Sequence, residues 1–311
     1  MGAAVTLDFA TPPGIWGSYS RIVASRKPSN LREGETTPRI EATLAAARAD
    51  AGHLARYAAI CEVARVDRIP IAYPHMLASG MHLAMLSSPR FPVSVFGLVH
   101  VANRIVRERA IEATEPMTLR SWIEGHQDTE RGQEFDLETE GSVDGTVIWR
   151  ETCTFLARRR GKAGRLAGID RARRTGEADG PVRSTGFAAP AGLGRRYASV
   201  SGDYNPIHLA DLSARPFGFR RAIAHGMWTL ARCAAELDEI EQSGRTSLDV
   251  VFRLPVYLPA WVILESRDDH DGVEFSLRES SANKPYLTGE MRADAAARAA
   301  LSLGRESRAA R

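Results

Sequence analysis

Between Tyr197 and Asp211 the chain reads YASVSGDYNPIHLAD, and Phe217–Met227 continues FGFRRAIAHGM. Two turn-forming pairs, Gly202-Asp203 and Asn205-Pro206, break the first run, so Asp203 and His208 are expected on an irregular loop. Five residues apart, they would not share a helical face; a loop lets a carboxylate and an imidazole converge on one point. Histidine titrates near neutrality, and a nearby carboxylate can tune it for proton transfer. Seventeen residues beyond His208, His225-Gly226-Met227 opens a helix. First-turn N–H groups have no partner within a helix, and its dipole favours negative charge there. Gly226 presents no side chain, which leaves its N–H free to hold an oxygen that gains charge. One such donor contributes about 2.7–4 kcal/mol to a transition state. An acid, a base and an oxyanion donor are what an elimination next to a carbonyl needs.

Working outward, the helix HGMWTLARCAAEL (225–237) carries Met227, Leu230, Ala231, Ala234 and Ala235 on one face. An earlier segment, PHMLASGMHLAML (74–86), repeats the pattern with Met76, Leu77, Gly80, Met81, Ala84 and Met85. Each is preceded by a helical stretch with an Arg-Tyr-Ala step, at 56–58 and 196–198. Strand-like runs follow each: 97–109, 117–124, 133–140 and 146–157, then 248–254, 261–266, 273–278 and 286–291. A helix followed by consecutive strands is α+β order and not βαβ alternation. The economical reading is a curved antiparallel sheet around one central helix, built twice. The polar, Gly-bearing run at 158–183 reads as a linker and 294–311 as a flexible tail. The halves are then 1–157 and 184–293.

Bulk properties mostly exclude. A hydrophobic content of 44% and charged content of 25% are those of a globular chain, and no run is apolar enough to span a bilayer. The first residues lack a signal-peptide pattern, so a cytoplasmic location is expected. Cys61, Cys153 and Cys233 show no CxxC spacing, which argues against disulfides and zinc. The net charge is only +3, and of the basic residues only Lys27, Lys162 and Lys284 are lysines. That is weak support for a nucleic-acid partner. There is no GxGxxG or P-loop pattern.

GDYNPIH followed at this distance by FGFRRAIAHGM resembles the MaoC-like dehydratases, including (R)-specific enoyl-CoA hydratases. The later LPVYLP run and the YPHML helix are similar to the two-hotdog bacterial members. The resemblance implies two hotdog folds in tandem, and a lyase that interconverts (R)-3-hydroxyacyl and trans-2-enoyl thioesters of coenzyme A or an acyl carrier protein. It also implies catalytic roles for Asp203 and His208, an orienting role for Asn205 and an oxyanion role for Gly226. No metal and no cofactor beyond the substrate's own handle is implied. Tyr204, His225 and Met227 flank the pair as expected substrate contacts, with His225 fixing the loop to the helix. A homodimer is the expected assembly. A hotdog thioesterase and a non-catalytic acyl-binding subunit are the alternatives.

The first half departs from this pattern. A gapless alignment of Tyr57 with Tyr197 sets Val63, Arg65 and Arg68 opposite Asp203, Asn205 and His208. None of these can do the matching job, so the first half is expected to be structural. It is also shorter between Tyr57 and His75 than the second half is between Tyr197 and His225. With small or flexible residues at Gly80, Met81 and Ala84, it is expected to form a tunnel for long acyl chains. His75, His82 and His100 read as satisfied core histidines.

Overall fold

The computed structural model describes residues 4–158, 181–237, 244–269, 272–279 and 284–293. The first half opens with β1 (Val5–Phe9), α1 (Ile15–Ala24) and β2 (Ile40–Ala47), followed by α2 (Ala51–Cys61) and α3 (Tyr73–Ser87). Strands β3 (Leu98–Arg107), β4 (Met117–Ile123), β5 (Gln127–Thr129), β6 (Gly132–Val143) and β7 (Thr146–Arg158) complete it. The second half runs β8 (Arg183–Ala189), α4 (Leu193–Ser201), the short α5 (Pro206–Leu209) and α6 (Asp211–Ala214), then α7 (Gly226–Glu236). It closes with β9 (Thr246–Phe252), β10 (Ala260–Asp269), β11 (Gly272–Glu279) and β12 (Pro285–Ala293).

Each half wraps its strands around one central helix, α3 or α7, in a double-hotdog arrangement. The strands order as β1-β2-β4-β6-β7-β3-β9-β12-β11-β10-β8, with β5 on β6. The two sheets expected from sequence are therefore one, joined where β3 pairs antiparallel with β9 from Ala102↔Val251 to Arg107↔Thr246. Across the same seam the two Arg-Tyr-Ala helices meet. Tyr57 of α2 and Tyr197 of α4 are fully buried with ring centroids 6.5 Å apart. His53 of α2 adds a polar tie: its Nε2–H donates to the Val200 carbonyl at 2.8 Å. The cores use indoles in parallel ways: Trp149 donates to the Ile71 carbonyl and Trp228 to that of Ile60. Each such fully buried apolar side chain stabilises by about 1.5–3 kcal/mol, and its N–H needs a partner once out of water.

Three features differ from the sequence expectation. Each half begins with a strand before its helices. β2, IEATLAAA, is rich in helix-favouring alanine, yet it alternates Ile40, Ala42 and Leu44 inward, and that burial outweighs propensity. β1 pairs with β2 in parallel, so the sheet is not wholly antiparallel. The linker expected at 158–183 has its ends inside β7 and β8, while 159–180 lie outside the described residues, as does the tail at 294–311.

A fourth difference concerns the acyl tunnel. A Cβ at Gly80 would stand 2.7 Å from the Pro13 carbonyl oxygen. From α1, Arg21 donates to Ser87 of α3 at 3.0 Å. The segment leading into α1, and α1 itself, therefore occupy the face of α3 that carries Gly80 and, one turn on, Ala84. Met81 is fully buried in the core. The small residues admit α1 at close range; Gly80 and Ala84 do not line a tunnel. Gly80→Ala should accordingly lower stability by about 1–3 kcal/mol, as overpacking against backbone does. Thermal unfolding reads this directly, and an unchanged Tm would mean that the Pro13 segment gives way freely.

Candidate active site

The loop after α4 is built by turn chemistry. Gly202 ends the helix with φ of 70° in the left-handed region, which reverses the chain at little cost. The Asp203 Oδ1 then accepts the Asn205 N–H at 3.0 Å, and the Asn205 side chain in turn caps α5 by accepting from Ile207 N–H. Proline at the first position of α5 suits its fixed φ. His208 rides on that single turn. A Cβ at Gly194 would stand 1.7 Å from the His208 carbonyl oxygen, so only glycine lets α5 lie against α4.

His208 Nδ1–H donates to the Ile223 carbonyl at 2.8 Å, which leaves Nε2 with a bare lone pair. That nitrogen faces the Asp203 Oδ2 across 3.8 Å, too far for a hydrogen bond. His225 Nε2–H donates to the Asp203 main-chain carbonyl at 3.0 Å, tying the start of α7 to the loop. The two imidazoles stack at 3.7 Å between centroids with 24° between planes. Both rings are buried, whereas the Asp203 side chain is 47% exposed, so the carboxylate is the open edge of the group.

Partial loss of solvent alone would push the Asp203 carboxyl up. The two imidazoles, the Asn205 N–H and the Tyr19 hydroxyl outweigh it and hold the pKa below its ordinary value. Burial moves His208 the other way, and the Asp203 charge only partly restores it, so its pKa is lowered. Burial and the neighbouring His208 push His225 down to about 3. At neutral pH the group is thus one carboxylate and two neutral rings. A carboxylate oxygen and a bare nitrogen that face each other are both acceptors, and a water molecule with two protons to donate can bridge them.

Of the other residues singled out from sequence, Gly226 is the first residue of α7, so its N–H has no helical partner. The ring of Phe252 would lie 3.2 Å from a Cβ there. Met227 is buried beside it. The Tyr204 ring packs against Trp16 of α1 at 5.2 Å.

Sequence reasoning missed α1 altogether. From it Tyr19 accepts the Tyr204 N–H at 2.6 Å and lies 3.4 Å from the Asp203 Oδ1 and 3.3 Å from the Gly202 carbonyl, within donating distance of both. Burial and the Asp203 charge push its phenol pKa up, so it stays a proton donor. Only its place before the first recognisable helix could have drawn notice, because IWGSYSRIVA has no catalytic pattern.

Asp203, His208 and His225 bring three potential metal-ligand atoms within 4.8 Å, as do His75, Glu151 and Cys153. In the first set the His225 Nε2 carries the proton it donates to Asp203, which removes it as a ligand. In the second the His75–Glu151 contact at 2.8 Å is itself a hydrogen bond, and burial raises the Cys153 thiol well above its usual range.

Known proteins resemble this chain in sequence and in fold. A family profile described as "MaoC like domain" matches residues 191–266, the span from α4 into β10. Over 243 residues the chain is 31% identical to 3-hydroxyacyl-thioester dehydratase X of Mycobacterium tuberculosis, covering 78% of this chain and 85% of the relative. The chain belongs to the MaoC-like dehydratase family. The crystal structure of the M. tuberculosis protein HtdX superposes with a TM-score of 0.70 at 29% identity, covering 82% of this chain and all of the other. A second M. tuberculosis protein, described as having a double hotdog fold, gives a TM-score of 0.50 at 14% identity over 87% of this chain and 99% of its own. That likeness shows the fold alone.

In the first half of this MaoC-like dehydratase, Arg65 pairs with Asp67, Arg68 lies 3.8 Å from Glu112, and Val63 packs on the core. No acid–base pair forms at these three positions. In Tyr19→Phe, the charged form of Asp203 loses a donor, which disfavours the carboxylate, so its pKa should rise. A carboxyl NMR titration checks this, and equal values in both proteins would reduce Tyr19 to a support for the Tyr204 amide. Gly194→Ala should displace His208 and remove activity, since the obstacle is backbone and cannot rotate away.

Proposed function

We propose that this chain dehydrates (R)-3-hydroxyacyl thioesters, and in reverse hydrates trans-2-enoyl thioesters, in fatty acid metabolism. The thiol belongs to coenzyme A or an acyl carrier protein. The observation that carries the reading is the Asp203 carboxylate facing the bare His208 Nε2 across 3.8 Å, beside the free first-turn amide of Gly226. The likeness to a relative named as a 3-hydroxyacyl-thioester dehydratase supports the same reaction.

In hydration, a water held between Asp203 and His208 gives a proton to the pair as its oxygen bonds to C3 of the enoyl thioester. The electron pair of the double bond moves toward the thioester carbonyl, whose oxygen gains charge against the Gly226 N–H. The pair then returns a proton to C2. In dehydration the C2 proton goes to the pair, the C2–C3 double bond forms, and the C3 hydroxyl leaves with a proton as water. The two groups titrate together, so each transfer belongs to the pair. Asn205 orients Asp203 through its N–H. Tyr204, His225 and Met227 flank the reacting carbons.

The balance needs no redox group, and the cofactor requirement ends with the thioester handle. The catalytic unit is 184–293; the first half contributes structure and the α1 brace. Among the described residues no helix is long and apolar enough to cross a membrane. A cytoplasmic homodimer is the form we assign.

Asp203→Asn and His208→Ala should each lower kcat by about 10²–10⁴, with the fold intact by circular dichroism. The double variant should be little worse than either single, because the pair acts as a unit. Near-normal turnover in either single variant would remove the mechanism. Chiral analysis of the hydration product should find the R alcohol, and an S product would void the assignment. Because both partners act unprotonated and both are held low, the acid limb of kcat/KM should fall below the ordinary imidazole value of about 6.5. A limb at or above that value would contradict a carboxylate beside two neutral rings.

A further inference from the structure

Among the described residues two indoles are exposed, Trp261 at 59% and Trp16 at 67%. Trp261 has a structural use. It lies on β10 across Gly186 of the edge strand β8, where a Cβ would stand 2.9 Å from the indole. An aromatic laid over an edge glycine supports the strand.

Trp16 has a different setting. It stands in the first turn of α1, with its ring centroid 5.2 Å from that of Tyr204 and 6.2 Å from that of Tyr19. Tyr19 and Tyr204 are 6.5 Å apart, so the three rings form a triangle. Two of its corners belong to the reacting group: the Tyr19 hydroxyl is 3.4 Å from the Asp203 Oδ1, and Tyr204 follows Asp203 in the chain. The third corner, Trp16, faces water. Its position is fixed from both sides. Ile15 before it reaches within 3.3 Å of a Cβ position on Gly202, and Tyr19 one turn on accepts the Tyr204 N–H at 2.6 Å. A single exposed apolar side chain is ordinary. An aromatic ring anchored at the rim of a reacting group, with most of its surface left in water, calls for a ligand.

The shape of the substrate says which part of it arrives there. His208 and His225 are buried, and the Asp203 side chain is the exposed edge of the group. A thioester therefore reaches the pair from the side of Asp203. Its handle cannot follow it inside, because coenzyme A ends in charged phosphates and a carrier protein is a folded domain. The handle runs back out past the exposed edge, where Tyr204 and then Trp16 stand. The stretch of handle next to the sulfur is the pantetheine arm, an uncharged chain of methylenes and two amides. An indole suits it, with an apolar face for methylenes and flat amides and one N–H for a carbonyl.

We propose that Trp16, set with Tyr204 on the rim of the reacting group, is a substrate-binding residue that holds the pantetheine arm of the thioester. The proposal rests on the dehydratase reading and deepens it by naming what grips the handle.

The test compares the trans-2-octenoyl thioesters of pantetheine and of N-acetylcysteamine, which keeps only the first amide of the arm. The full arm should be preferred in kcat/KM by about fivefold or more, chiefly through KM, as one aromatic contact gives. In Trp16→Ala that ratio should fall toward one, and Trp16→Phe should keep most of it. Hydration of both thioesters by the wild-type enzyme without preference would overturn the contact and leave the dehydratase reading intact. So would a ratio unchanged in folded Trp16→Ala. A loss in Trp16→Ala that grows as the acyl chain lengthens from four to ten carbons would put the acyl chain on the indole and overturn the assignment. Octenoyl-CoA and octenoyl carrier protein present the same arm, so Trp16→Ala should weaken both. A loss confined to one would place Trp16 against the nucleotide or the carrier protein instead, and would also overturn it. Tryptophan emission reads the contact without turnover: pantetheine should quench it saturably in the wild-type enzyme and not in Trp16→Phe. That quenching with no hydration of any thioester would sink the reaction and keep the contact.

Discussion

The antiparallel pairing of β3 with β9 is the constraint on which the rest depends. It turns two sheets into one and sets α3 and α7 beneath a shared surface. Ladder hydrogen bonds contribute only about 0.5–1.5 kcal/mol each in net terms. The seam therefore relies as much on the apolar contact of Tyr57 with Tyr197 and the burial of β3 and β9 side chains. With that geometry set, the loop after α4 opens toward the first half, and α1 can reach it. A second half alone would expose β9 as an unpaired edge and lose the brace from Tyr19.

The halves share a plan and have divided the work unevenly. The first retains the helix pair and the central helix but carries a valine and an arginine, Val63 and Arg68, where proton transfer needs an acid and a base. It supplies instead an N-terminal strand–helix–strand unit that the second half does not match among its described residues. Helix α1 binds the catalytic loop through one phenol that accepts from a backbone amide and sits within donating distance of a carboxylate. The close approach of the Pro13 segment to Gly80 is what makes room for that reach.

Much of this was legible in the amino-acid order. Eight strands and four principal helices fall where alternation and helical spacing put them, because each buries one face and periodicity records burial. The loop of Asp203, Asn205 and His208 was legible too, since Gly and Pro mark turns whatever their tertiary context. What escaped had tertiary causes. β2 is alanine-rich and looks helical until its inward face is packed. Tyr19 belongs to the site only through contacts nearly two hundred residues distant. Gly80 looked like room for a ligand because a missing side chain does not say what fills the space. His100 read as a satisfied core residue because burial is visible in sequence and its unmatched Nε2 is not.

The stack of His225 on His208 has a consequence for how the reaction is poised. Two rings at 3.7 Å share one small volume, and a positive charge on one discourages a charge on the other. With His225 neutral and tied to the Asp203 carbonyl, the group has room for a single mobile proton. In the proposed cycle the proton taken from carbon is the one that departs with oxygen, and none has to be drawn from solvent between turnovers. A centre that borrows and repays one proton within each turnover imposes no preferred direction. Whether thioesters flow toward the alcohol or the alkene is then left to their relative concentrations, and the protein acts as a reversible valve.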